Sequence, residues 1–119
     1  MPVFRVCLEP ALNHDNYGPA YNMSIDMILD DQGNPLPRMT FLGVMGGLAP
    51  NADGICPFVL FADGTGDFGD GFDAPYRDFT FNIVGPDAVV QPNEFFTYVG
   101  VGEDGEEIIV YRVVQMIPL

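Results

Sequence analysis

The stretch DGTGDFGDGFD, Asp63 to Asp73, packs four carboxylates, four glycines and two phenylalanines into eleven residues. Calcium is the cation that such a composition suits. It takes about six to eight oxygen ligands, many of them carboxylates, along a tightly turning backbone that glycine permits. Asp63, Asp67, Asp70 and Asp73 would supply the acidic ligands, with Thr65 and main-chain carbonyls beside them. The spacing fits the known loops poorly. With Asp63 at position 1 of an EF-hand loop, Thr65 and Asp67 fall acceptably at 3 and 5, but Phe68 takes the glycine position 6 and Ala74 the glutamate position 12. The calcium nonapeptide G-G-x-G-x-D-x-U-x, laid on Thr65–Asp73, matches Gly66, Asp70 and Phe72 and misses at Thr65 and Phe68. It works in stacked copies, and here there is a single one. Three readings of the stretch remain: a non-standard calcium loop, a solvated loop between strands, and a loop whose working parts are its rings. On a glycine-hinged segment Phe68 and Phe72 would close over a ligand or dock a partner, or fold back to cap the core.

Acid–base chemistry has few candidates. His14, the one histidine, sits in the polar stretch NHDNYG beside Asp15, where it would exchange protons near neutral pH. Adjacent side chains often point apart, so an exposed loop histidine without a role is the simpler reading. Asp26, Asp78 and Glu94 lie in or beside apolar strands; any of them buried inside a barrel would have a raised pKa and become a usable acid or base. Alternation puts Asp26 on the wet face of its strand. Arg77 beside Asp78, and Arg38 and Arg112 in strands, suit structural ion pairs equally well. Ser24, the one serine, has no G-x-S-x-G around it, and no phosphate-binding glycine loop occurs. One histidine cannot make a two-histidine zinc site within a monomer.

Charge excludes further classes. The formal net charge is −13, all four basic residues are arginines, and lysine is absent. Phosphate backbones and anionic membranes are bound through cationic neutralisation, so neither nucleic acid nor a membrane surface is an expected partner. The acidity suits general solubility, adaptation to high salt, or a basic partner. Cys7 and Cys56 match no metal spacing and read as two buried thiols; a single disulfide fits if the chain is exported. The N-terminal MPVFRVCLEP lacks the apolar stretch of a signal peptide, and no run approaches a membrane span, which suits a soluble, cytoplasmic protein.

These residues need a scaffold, and the pattern specifies one. Short apolar runs alternate with Gly, Pro, Asn and Asp clusters, the rhythm of strands joined by turns. The 119 residues suit one all-β domain, and a chain of this size buries roughly two thirds of its unfolded surface. Strands are expected at about 3–8, 21–29, 38–45, 57–62, 76–84, 95–102 and 106–117. Met23, Ile25, Met27 and Leu29 mark one face of the second, and Asp104-Gly105 marks a hairpin between the last two. The final strand is apolar on both faces, which suits a central position buried from both sides, or a dimer contact. About seven antiparallel strands make a barrel or a sandwich. The best-fitting function is a non-catalytic, acidic binding protein that presents residues 63–73, with Phe68 and Phe72, to a protein or a small apolar ligand. Alternatives are a small β-barrel enzyme using His14 or a buried carboxylate, a calcium-binding module, and an acidic inhibitor of a basic target.

Overall fold

Period-two alternation runs through most of the strands. In Met23–Ile28 buried and half-buried residues alternate without a break, and in Phe41–Met45 and Phe95–Val101 buried residues alternate with half-buried or exposed ones. A computed structural model describes residues 2–11, 19–46, 55–72, 76–102 and 105–119. It contains eight strands: β1 (Val3–Pro10), β2 (Met23–Ile28), β3 (Phe41–Met45), β4 (Cys56–Leu60), β5 (Thr65–Asp67), β6 (Asp78–Phe81), β7 (Phe95–Gly102) and β8 (Gly105–Pro118). Each pairs antiparallel with its neighbours in sequence, and β8 returns to pair with β1, so the sheet closes into an up-and-down barrel. Closure removes the exposed edges that an open sheet would leave. Among the described residues no helix is long and apolar enough to cross a membrane.

Eight strands enclose a space just wide enough for side chains to fill. Val6, Ile25, Leu60, Phe81, Ile109 and Tyr111 are among the residues that fill it, and no polar residue among those described is fully buried. Two glycines make room for large rings. Gly43 lies directly opposite Phe58 on β4, and Gly66 directly opposite Phe79 on β6. In each pair the ring tip lies over the glycine, and a Cβ there would clash with it, nearest the Phe58 Cζ at Gly43 and the Phe79 Cζ at Gly66. The rings supply the buried area that the glycines lack, the arrangement that compensates glycine in a strand.

The strand absent from the sequence reading is β5, inside the segment read as a loop. It has three residues, and its one inward position is Gly66, so it carries no apolar alternation to read. The third strand begins at Phe41, because Arg38 sits in a turn with a φ of 64°. The last strand is bonded on both edges, as expected of a central strand. It is not buried from both sides: a barrel wall has an outside, and Ile108 there is 55% exposed. A bulge opposite Cys7 and Leu8 shifts the register, so the inward series Ile109, Tyr111, Val113 resumes at Met116.

At one end the β6–β7 connection folds inward, and its Ile83, Val84, Ala88 and Val90 are buried in the core. The β2–β3 connection crosses it. The Val90 amide donates to the Gly33 carbonyl at 2.8 Å, and the Asn34 side-chain amide donates to the Ala88 carbonyl at 2.7 Å. That end is plugged.

Gly66→Ala is expected to destabilise the fold by about 1–3 kcal/mol, the usual cost of overpacking. Gly66→Ala combined with Phe79→Leu should cost less than the sum of the two single changes, since each is fitted to the other. Urea unfolding of the four proteins of this cycle checks it; strict additivity would show that ring and glycine are not coupled.

Candidate functional site

The Asp63–Asp73 segment divides its labour. Asp63 ends the β4–β5 hairpin. Its Oδ1 accepts from the Thr65 amide at 3.0 Å and the Thr65 hydroxyl at 2.6 Å, and these bonds hold its carboxyl below the ordinary carboxylate value. Gly64, with a φ of 89°, completes the turn, and the Phe61 amide closes it onto the Thr65 carbonyl at 2.8 Å. Asp67 accepts from the Gly69 amide at 2.6 Å, in the same kind of local turn. The Asp70 side chain is fully exposed, 3.9 Å from the Arg77 guanidinium. Asp73 lies outside the described residues. Among the described residues no three His, Cys, Asp or Glu side chains gather around a point that could hold a metal ion.

The rings behave otherwise. Phe68 takes the next inward position after Gly66, held by a 2.9 Å bond from its amide to the Arg77 carbonyl. Its ring packs on Phe79, tilted by 41° with centroids 4.8 Å apart, and meets the edge of Phe58 at 5.8 Å. Phe72 lies 5.1 Å beyond it. Arg77 donates to the Phe72 carbonyl at 3.2 and 3.3 Å, pinning the turn that carries this ring. The rings thus form a column that leaves the core and reaches the opposite end of the barrel.

There the column becomes one wall of an open cleft of about 890 Å³. Phe68, Phe72 and Tyr76 come from the β5–β6 connection, Met45 and Cys56 from β3 and β4, Tyr21 from the 3-10 turn Pro19–Tyr21 before β2, and Tyr98, Glu107 and Ile108 from the β7–β8 hairpin. The Tyr111 hydroxyl, from inside the barrel, donates to the Tyr21 carbonyl at 2.7 Å and fixes that side. On β7, Gly100 lets the Tyr98 ring lie along the strand, with its hydroxyl 2.7 Å from where a Cβ would stand. Glu107 faces Gly100 across the hairpin, and its carboxylate lies over Gly102. Burial raises the Glu107 pKa; burial and then the Glu107 charge push the Tyr98 hydroxyl far above the usual phenol value.

The acid–base candidates do not meet here. Asp26 is on the outer wall, as alternation indicated. It lies directly opposite Arg5 and forms a two-pronged ion pair with it at 2.9 and 3.0 Å. Asp78 is exposed on the outer wall opposite Asp67, and Arg77 turns to Phe72 and Asp70 instead of pairing with it. Glu94 is at the plugged end, accepting from the Gln91 side chain at 2.9 Å. His14 and Asp15 lie outside the described residues. Cys7 and Cys56 are free, half-buried thiols whose pKa values burial raises.

Sequence reasoning found Phe68 and Phe72 and missed Glu107, Tyr98, Tyr76 and Tyr21. The signal for Glu107 was present: it is the one acidic residue in the inward register of Ile109, Tyr111 and Val113. Comparison of the chain with protein-family models, curated proteins and solved structures gives no match.

A carboxyl with a raised pKa holds its proton to higher pH in the folded than in the unfolded chain. Its contribution to stability is complete below the ordinary carboxylate range and is lost as pH rises through the raised value. Glu107→Gln should therefore raise the thermal midpoint at neutral pH, and the gain should shrink as the pH falls below the carboxylate range. Scans of both proteins across that range check it; a loss at neutral pH would contradict the burial assigned to Glu107.

Proposed function

We propose that the protein is a binding protein whose working surface is the cleft at the end of the barrel opposite the plug, with Phe68 and Phe72 as its principal contacts. One observation carries this reading. The two rings extend a column of packed aromatic side chains out of the core into a cleft, where Tyr21, Tyr76 and Tyr98 face the same space. Ligand sites are concave and mainly apolar, with a few polar groups that set orientation, and volumes of about 300–1,000 Å³ are usual. The cleft has that size, and its lining mixes aromatic rings with carboxylates, tyrosine hydroxyls and glycine backbone. The barrel interior is occupied by its own side chains, so an apolar ligand would be taken at the mouth. Rigid rings on a supported wall bind at small entropic cost, because little side-chain freedom remains to be lost.

The carboxylates of the segment fit the same reading. One oxygen of Asp63 holds the β4–β5 turn, and one oxygen of Asp67 holds the turn that follows β5 and carries Phe68. Calcium ligation by these groups would have to compete with those bonds.

A neutral naphthyl probe, titrated into labelled protein, should shift the NMR signals of Phe68, Phe72, Tyr76 and Ile108 and leave those of the plugged end in place. Phe72→Ala, a half-buried ring at the rim, should weaken binding by about tenfold, near 1.4 kcal/mol, with the fold intact. Shifts centred on Val84 to Phe96, or none at all, would overturn the assignment.

A further inference from the structure

We propose that the ligand of this cleft is a small organic cation, an ammonium group with an apolar shell, whose charge faces Glu107 and whose shell lies against Phe68, Phe72 and Tyr76. The proposal rests on the mouth being the binding site and names the chemistry that the site selects.

Three observations converge on a cation. The cleft has aromatic walls, and aromatic faces carry partial negative charge that attracts cations, most strongly where water is excluded. Its one half-buried carboxylate, Glu107, lines the same cleft from β8 and lies over Gly102 at the rim. Among the described residues Glu107 forms no ion pair, and no arginine lines the cleft. Arg77, the nearest cation in the chain to Phe72 and Tyr76, directs its guanidinium to the Phe72 carbonyl and Asp70 instead. A carboxylate removed from water without a counter-charge is costly, and an incoming cation relieves that cost.

Alternative ligand classes fit less well. An anion would meet Glu106, Glu107 and the negative ring faces, with no arginine among the described lining residues to receive it. A neutral apolar molecule would satisfy the rings and further desolvate Glu107 with no return. The net charge of −13 draws cations toward the whole surface, which favours encounter as well as residence.

The test compares benzyltrimethylammonium with neopentylbenzene, its uncharged carbon isostere, by NMR titration of the full chain at one fixed ionic strength. The shapes match and only the charge differs. The cation should bind about tenfold more tightly, the scale of a partly desolvated cation–π contact joined to a carboxylate. Glu107→Gln, a variant expected to fold at least as stably, should lose most of that preference while still binding the isostere. Equal binding of the two probes to the unmodified protein would overturn the cation assignment and leave the aromatic mouth standing as a site. Failure of both probes to shift the mouth residues would remove the site itself. A preference undiminished in Glu107→Gln would show that Glu107 does not recognise the charge, and would also overturn the proposal.

Discussion

A ring laid over a glycine is the interaction on which this molecule turns. At Gly66 the barrel wall has no side chain, and the Phe79 ring fills the gap from the adjacent strand. Because Phe79 lies there, Phe68 can pack on it and Phe72 on Phe68, each step moving outward toward the mouth. The second such pair, Phe58 over Gly43, abuts the same stack: Phe58 meets both Phe79 and Phe68 edge-on. Core and cleft are thus one continuous aromatic body. Side chains at the mouth inherit the rigidity of the interior, because a ring packed on both sides has few other places to go.

The same economy shapes the barrel ends. One end spends its connections on closure. The β6–β7 segment enters the core and is held by main-chain bonds to the β2–β3 turn. At the other end inward side chains of β4, β7 and β8 line a cleft: Cys56, Tyr98 and Glu107. A polar inward residue is tolerable only there, where water or a ligand can meet it. Glu107 is where the inward series stops being apolar.

Much of this was legible in the sequence. The all-β class, the antiparallel order and most strand positions follow from period-two patterning and turn chemistry, as in Met23 to Leu29 and around Gly105. Phe68 and Phe72 stood out because aromatics are rare in a glycine- and aspartate-rich run. What escaped has physical causes. Strand β5 has glycine at its inward position, so its partner on β6 holds the information about it. Closure into a barrel depends on β8 meeting β1, a pairing between chain ends that no local pattern encodes. The cleft is assembled from several separate segments, and Tyr21, Tyr98 and Glu107 gain meaning only from their juxtaposition. Asp63 looks like a ligand in the sequence and acts as a turn residue in the fold, since the same carboxylate serves either purpose.

The central proposal is that the Asp63–Asp73 segment works through Phe68 and Phe72, while Asp63 and Asp67 serve the backbone. The most direct test is the thermal midpoint in chelator, in millimolar calcium and in millimolar magnesium, at constant ionic strength. The account predicts that the two ions act alike, through screening of the net charge alone. A ligand bound only to the folded state at about 100 times its Kd adds about 2.7 kcal/mol, which a domain of this size shows as several degrees. A rise of that size in calcium, unmatched in magnesium, would contradict the claim and make the carboxylates the working groups.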